Sequence, residues 1–159
     1  MPAIKVPGKG TEKTPGSNSL HLTVKGKLIG SIPNALLSIF EEIERSKYIL
    51  DLKDNWNDDD AVGYTFDAWK KAVQFIIKLS AKIYNTCNQV ISTPKIYHGP
   101  NGSIDIYWEN EAFNLLINIP PNGPGTFYGD NYKNNKVEGA FDPSIINLNL
   151  FPFLIERNG

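Results

Sequence analysis

Four carboxylates crowd one short stretch. Asp54, Asp58, Asp59 and Asp60 surround a single large aromatic in the run Asp54-Asn55-Trp56-Asn57-Asp58-Asp59-Asp60. A calcium loop wants oxygen ligands at positions 1, 3 and 5, glycine at 6 and glutamate at 12. Counting from Asp54 puts Trp56 at the third position and Thr65 at the twelfth. Counting from Asp58 puts Gly63 correctly at the sixth, but Val62 at the fifth and Trp69 at the twelfth. Both registers fail. The stretch reads as a capping and solubilising loop, and no metal or other cofactor is expected.

Other groups fare no better as catalysts. Asp105 and Glu109 share one side of an alternating run, but four residues of strand hold them ~13 Å apart, too far for a glycosidase pair. The single cysteine, Cys87, falls on the apolar stripe of a helical segment, where a buried, inert thiol is expected. Two histidines, His21 and His98, cannot complete a zinc site with it unaided. His98 precedes Gly99-Pro100 and reads as an exposed loop residue. The chain has no G-x-S-x-G elbow, Walker A run or G-x-G-x-x-G.

Composition narrows the class. With 41% hydrophobic and 11% aromatic residues in 159, the chain can build a core and is not a disordered one. A net charge of −1 argues against a nucleic-acid coat or a polybasic membrane binder. The charge is uneven, however. Residues 1–30 carry Lys5, Lys9, Lys13, Lys25 and Lys27 against Glu12 alone, whereas residues 41–60 carry eight acidic residues against Arg45, Lys47 and Lys53. The first ten residues contain no apolar core of a secretory signal, and no run suffices for a membrane helix. A lone cysteine fits a reducing compartment, so a cytoplasmic location is expected.

The elements that must position these groups follow from periodicity. Residues 1–19, punctuated by Pro2, Pro7, Gly8, Gly10, Pro15 and Gly16, read as a flexible basic tail; residues 20–159 read as one domain. Leu20, Leu22 and Val24 alternate with polar neighbours as a strand, resuming through Leu28. Pro33 and Asn34 open a helix with Leu36, Ile39, Phe40 and Ile43 on one face and Glu41, Glu42 and Glu44 on the other, fading near Leu52. Thr65 caps a second helix whose stripe is Phe66, Trp69, Val73, Ile76, Ser80, Ile83 and Cys87.

Beyond Pro94 the period becomes two. Ile104, Ile106 and Trp108 alternate with Ser103, Asp105, Tyr107 and Glu109, and Phe113, Leu115, Ile117 and Ile119 alternate with Asn114, Leu116 and Asn118. A two-residue turn at Asn110-Glu111 sets Trp108 against Phe113, Ile106 against Leu115 and Ile104 against Ile117, all on one face. Strands near 126–132 and 136–141 continue the meander, and Asp142-Pro143 starts a last short helix carrying Ile145, Ile146, Leu148 and Leu150. The fold class is α+β: an antiparallel meander of about four strands, plus an N-terminal strand, with two helices packed on one face.

Two stretches, Leu52 to Ala61 around Trp56 and Gly102-Ser103-Ile104-Asp105-Ile106-Tyr107-Trp108, together resemble a group of small uncharacterised bacterial proteins. Their pattern is an N-W-D loop, an amphipathic helix and a D-G-S-I-x-x-E-W hairpin. The likeness spans about residues 50–140, with Asn57, Asn101 and Tyr107 departing from it. It implies a shared α+β core in which Trp56 and Trp108 are structural, and it implies no reaction. Such proteins are often encoded near toxin or defence genes, which implies an antitoxin-like or antiviral accessory role.

The functional expectation is therefore a docking surface. If the strand is regular, Tyr107 points opposite Trp108, with Asn114 across the hairpin and Leu116 one step away on the same side. Tyr107, Leu116, Asn114 and Tyr128 are expected to meet a protein partner, assisted by Asp58, Asp59 and Asp60 and by ordering of the basic tail. Asp105 and Glu109 on that face disfavour a nucleic-acid ligand. The alternative is a small-ligand or nucleotide sensor with a pocket between sheet and helices; an enzyme using His98 and a carboxylate ranks last. Oligomeric state is not specified by sequence.

Overall fold

The computed structural model describes residues 18–156. The expected tail lies outside them, apart from its last two residues, of which Ser19 already belongs to a strand. Strand β1 (Ser19–Val24) turns back at once into β2 (Lys27–Pro33) as an antiparallel hairpin. The turn explains why. Lys25 and Gly26 both adopt positive φ, 50° and 79°, as a two-residue hairpin turn demands, and glycine supplies the second without penalty.

A short 3-10 turn (Asn34–Leu36) leads into α1 (Leu37–Arg45), and a second (Ser46–Asp51) ends the helical stretch one residue before Leu52. Leu36, Ile39 and Ile43 are buried as their spacing requires. Glu42 is the exception to the expected polar side: it is buried, while Glu41 and Glu44 are exposed. Its carboxylate is turned inward because it binds Arg45 and the backbone of a neighbouring strand.

Helix α2 (Phe66–Cys87) is the central rod. The Thr65 hydroxyl accepts the Ala68 N–H at 3.0 Å, and Asn88 in the left-handed region closes the C-terminus. Ala68, Trp69, Ala72, Val73, Phe75, Ile76, Ile77, Leu79, Ser80 and Ile83 are all buried, an arc far wider than one stripe. The breadth follows from two neighbours: α2 meets β2 as well as the central strands of the large sheet. The stripe's two ends behave differently, with Phe66 40% exposed and Cys87 exposed rather than inert in the core. Cys87 is the helix's last residue, beyond the reach of the packed layer.

Five strands form the main sheet in sequential order: β3 (Lys95–His98), β4 (Ile104–Glu109), β5 (Asn114–Ile119), β6 (Gly125–Asp130) and β7 (Lys136–Phe141). The α+β class and the meander stand as expected, with β2 and β3 as additional strands. The β4–β5 register differs by two residues. Trp108 pairs with Leu115, Ile106 with Ile117 and Ile104 with Ile119. The cause is local: Asn110 accepts the Ala112 and Phe113 N–H groups through its side chain, at 2.8 and 3.0 Å, and so builds a four-residue loop. A shift of two leaves each side chain on its expected face.

The inner face, including Ile104, Ile106, Trp108, Leu115, Ile117 and Ile119, is fully buried. Helix α2 and the C-terminal segment close over it. Residues 142–147 form a turn rather than the expected helix, followed by two 3-10 turns (Leu148–Leu150 and Pro152–Leu154). Asp142 accepts the Ser144 N–H and Pro152 interrupts, so no continuous helix grows. Instead Phe151 is inserted among Phe75, Phe127 and Phe141, with ring centroids 5.2 to 6.1 Å away.

Candidate functional site

Because the C-terminal segment joins the inner layer, the outer face of the sheet is left uncovered among the described residues. The register aligns its side chains in rows perpendicular to the strands. One row reads Lys95, Tyr107, Leu116, Tyr128 and Glu138, each paired with the next across β3 to β7. Leu116 is 38% and Tyr128 44% exposed, and Tyr107 is half-buried between its neighbours. A cation and an anion thus bracket three apolar side chains. Leu116, not Asn114, stands directly opposite Tyr107, as the longer loop dictates.

A parallel row holds Tyr97, Asp105, Asn118, Thr126 and Ala140. Asn118 donates through Nδ2 to Asp105 Oδ1 at 2.7 Å and to Ser103 Oγ at 2.8 Å, fixing that edge of the face. The third row is Glu109, Asn114, Asp130 and Lys136. Asn114 donates weakly to the Tyr132 hydroxyl at 3.3 Å. Burial, with the adjacent Glu109 carboxylate, holds the Tyr107 phenol above its usual range. Between β5, β6 and β7 the surface dips into an open hollow of about 430 Å³, bordered by Leu116, Asn118, Tyr128 and Glu138.

The acidic loop is a separate structure. Asn55 Oδ1 accepts the Asp60 N–H at 2.9 Å, and Asn57 Oδ1 accepts those of Asp59 and Ala61 at 2.9 and 3.2 Å. Asp54 accepts the Gly63 N–H at 2.8 Å, where the chain passes so close that a Cβ on Gly63 would collide with the backbone of residues 53 and 54. The asparagines therefore build the loop, and Asp58, Asp59 and Asp60 carry their carboxylates exposed. Among the described residues, no three His, Cys, Asp or Glu side chains are grouped to hold a metal. The loop flanks the β3–β4 turn, since Trp56, Asp60 and Val62 border a hollow with His98, Gly99 and Asn101. Gly99 is bonded to Ser103, four residues before Tyr107, so the loop and the Tyr107 row are ~13 Å apart along the sheet. The structure brings the aromatic candidates together and leaves the acidic ones at the sheet's end.

His98 is not a free loop residue. It ends β3, and its ring meets Trp56, Tyr48 and Tyr64 edge to face at 5.0, 5.7 and 5.9 Å. The Tyr48 hydroxyl lies 2.7 Å from His98 Nδ1, and Tyr64 donates to the Gly99 carbonyl. No carboxylate hydrogen-bonds the imidazole among the described residues, so the acid–base pair imagined for an enzyme has a tyrosine in place of its carboxylate. Period-based reading missed this cluster because its members come from a 3-10 turn, one irregular loop and a strand end some fifty residues from Tyr48.

It also missed the pair Glu42 and Arg45, although their i, i+3 spacing was visible. Arg45 donates to Glu42 and to the Ile96 carbonyl at 2.8 Å, while Glu42 accepts the Ile96 N–H at 2.9 Å. Burial opposes the Glu42 charge, but Arg45, the Ile96 N–H and Lys95 outweigh it and hold the carboxyl below the usual glutamate range. No helix among the described residues is long and apolar enough to cross a membrane. Comparison with protein-family models, curated proteins and solved structures finds no match to this chain.

Proposed function

We propose that this chain is a non-enzymatic accessory module that binds a protein partner through the outer face of its five-stranded sheet. One observation carries the reading: Tyr107, Leu116 and Tyr128 are cross-strand neighbours in a single row that no other described segment covers. Tyrosine supplies large, rigid contact area with a polar tip, and contiguous apolar surface on a sheet is the material of interface anchors. Lys95 at the β3 end of the row orients the partner by charge. Asp58, Asp59 and Asp60, farther along, favour a partner with a basic patch on that side.

Asp105, Glu109, Asp130 and Glu138 outnumber Lys95 and Lys136 on this face, which argues against a nucleic-acid strand stacking there. The small-ligand alternative needs space between sheet and helices, where Trp69, Ile76, Ile106 and Ile117 instead fill the interface with less than 2% exposure each. An antitoxin-like or antiviral role rests on the sequence resemblance alone. Affinity purification from the cells that make the protein tests the proposal with a Tyr107→Ala/Leu116→Ala double variant and a Lys82→Ala control on α2. The expected result is a partner retained by wild type and control and lost by the double variant; identical retention by all three overturns it.

A further inference from the structure

The two edges of the five-stranded sheet are finished differently. At β3, the outward backbone groups of Ile96 are taken up by Glu42 and Arg45, and the His98 N–H reaches the Tyr48 hydroxyl at 3.3 Å. Side chains from α1 and the following turn thus stand where another strand would lie. At β7 nothing equivalent is present among the described residues. Asn131 N–H bonds to the Asn135 carbonyl at 3.0 Å, which fixes the phase of the β6–β7 ladder. Antiparallel alternation then turns Val137, Gly139 and Phe141 toward β6, and the N–H and C=O groups of Lys136, Glu138 and Ala140 outward. Lys136, Glu138, Gly139 and Ala140 are all exposed.

We infer that β7 is a self-association edge, pairing antiparallel with β7 of a second copy of this chain so that Lys136 of each lies opposite Glu138 of the other. Charge selects both the occupant and the register. A two-fold pairing centred on Lys136 opposes lysine to lysine, and one centred on Glu138 opposes glutamate to glutamate. Centring on Gly139 sets Glu138 against Ala140. Only centring on Val137 sets both Lys136–Glu138 pairs opposite, and these are the residues whose backbone groups face outward. The contact then gains four backbone hydrogen bonds and two cross-strand ion pairs. Val137, half-buried in the single chain, meets its twin on the inner face.

Charged side chains on an edge ordinarily discourage pairing with foreign strands. Here the same two charges exclude most strands and accept a copy of themselves. The symmetry axis stands perpendicular to the sheet, so the outer faces of both copies look the same way. The row of Tyr107, Leu116 and Tyr128 is then presented twice on one continuous ten-stranded sheet, a geometry that favours a two-fold or repetitive partner.

Sedimentation velocity of the full chain over micromolar to submillimolar concentration tests this. Wild type reversibly reaches a dimer. Glu138→Lys and Lys136→Glu each weaken that dimer by about tenfold or more, because two attractive pairs become two repulsive ones. An equimolar mixture of the two variants restores association, and Glu138→Pro, which deletes an outward N–H, abolishes it with the far-ultraviolet circular dichroism unchanged. The inference is overturned if wild type stays monomeric throughout. It is also overturned if the dimer survives Glu138→Lys or Glu138→Pro intact, or if the folded charge variants fail to associate when mixed.

Discussion

Leu116 and Ile117 are adjacent in the chain and occupy opposite environments: Leu116 is 38% exposed on the outer face, and Ile117 is fully buried on the inner one. The inner face is closed by α2 and by the Phe151 wedge, whereas the outer face retains tyrosine and leucine that no other described segment covers. Both faces are continuous in their own way. The inner continuity is explained by folding, since burying apolar surface stabilises the domain at roughly 25 cal/mol per Å². Among the described residues the outer row gains nothing comparable. Apolar side chains that the register aligns, and that no described segment covers, mark the surface where an interaction is to be sought.

Truncating the two neighbours in turn separates the two faces most strongly. Ile117→Ala removes a fully packed side chain and is expected to cost about 2–5 kcal/mol in urea unfolding. Next comes the edge pair. Glu42→Gln leaves Arg45 unpaired and weakens the bond to Ile96, for a loss of about 1–2 kcal/mol at pH 7, discounted because Arg45 is partly solvated. Since the folded Glu42 carboxyl lies below its unfolded counterpart, its stabilisation is present above the ordinary glutamate range and disappears as pH falls through the folded value. Urea titrations from neutral to acid pH should therefore show wild type and Glu42→Gln converging.

Smaller effects follow. Asn57→Ala removes the acceptor for two loop N–H groups and should cost about 1 kcal/mol, with faster proteolytic nicking between residues 54 and 61. Leu116→Ala should alter stability by no more than about 0.5 kcal/mol, measured against Ile117→Ala in the same denaturant series. A large loss at Leu116, or a small one at Ile117, would erase the distinction between the faces.

Much of the fold was legible because its signals are local and periodic. The stripe from Trp69 to Ile83, the cap at Thr65 and the alternation across Ile104 to Trp108 each announce an element within a short window. The faces of the hairpin were legible too, and with them the outward placement of Tyr107 and Leu116; Tyr128 joins them through the next strand's register, which the sequence did not set. Its register was not, because the choice between a two-residue and a four-residue turn depended on whether the Asn110 side chain would fold back on the backbone. β3 was missed because four residues between Pro94 and Gly99 carry too little pattern, and its edge is completed by side chains some fifty residues away. The His98 cluster was hidden for the same reason: Tyr48, Trp56 and Tyr64 reach it from segments that no sequence window joins. Cys87 illustrates the opposite error, since a periodic stripe continued to the helix's end after the packed layer beneath it had stopped.

Under the proposal above, the partner meets the outer face of the sheet. A photo-reactive amino acid placed at position 116, and separately at Lys78 on the exposed side of α2, measures it in the cells that make the protein. A discrete protein adduct is expected from position 116, absent from position 78 and lost when Tyr107→Ala and Tyr128→Ala are added. Adducts of equal yield from both positions, or none from 116 while 78 captures a partner, would contradict the proposal.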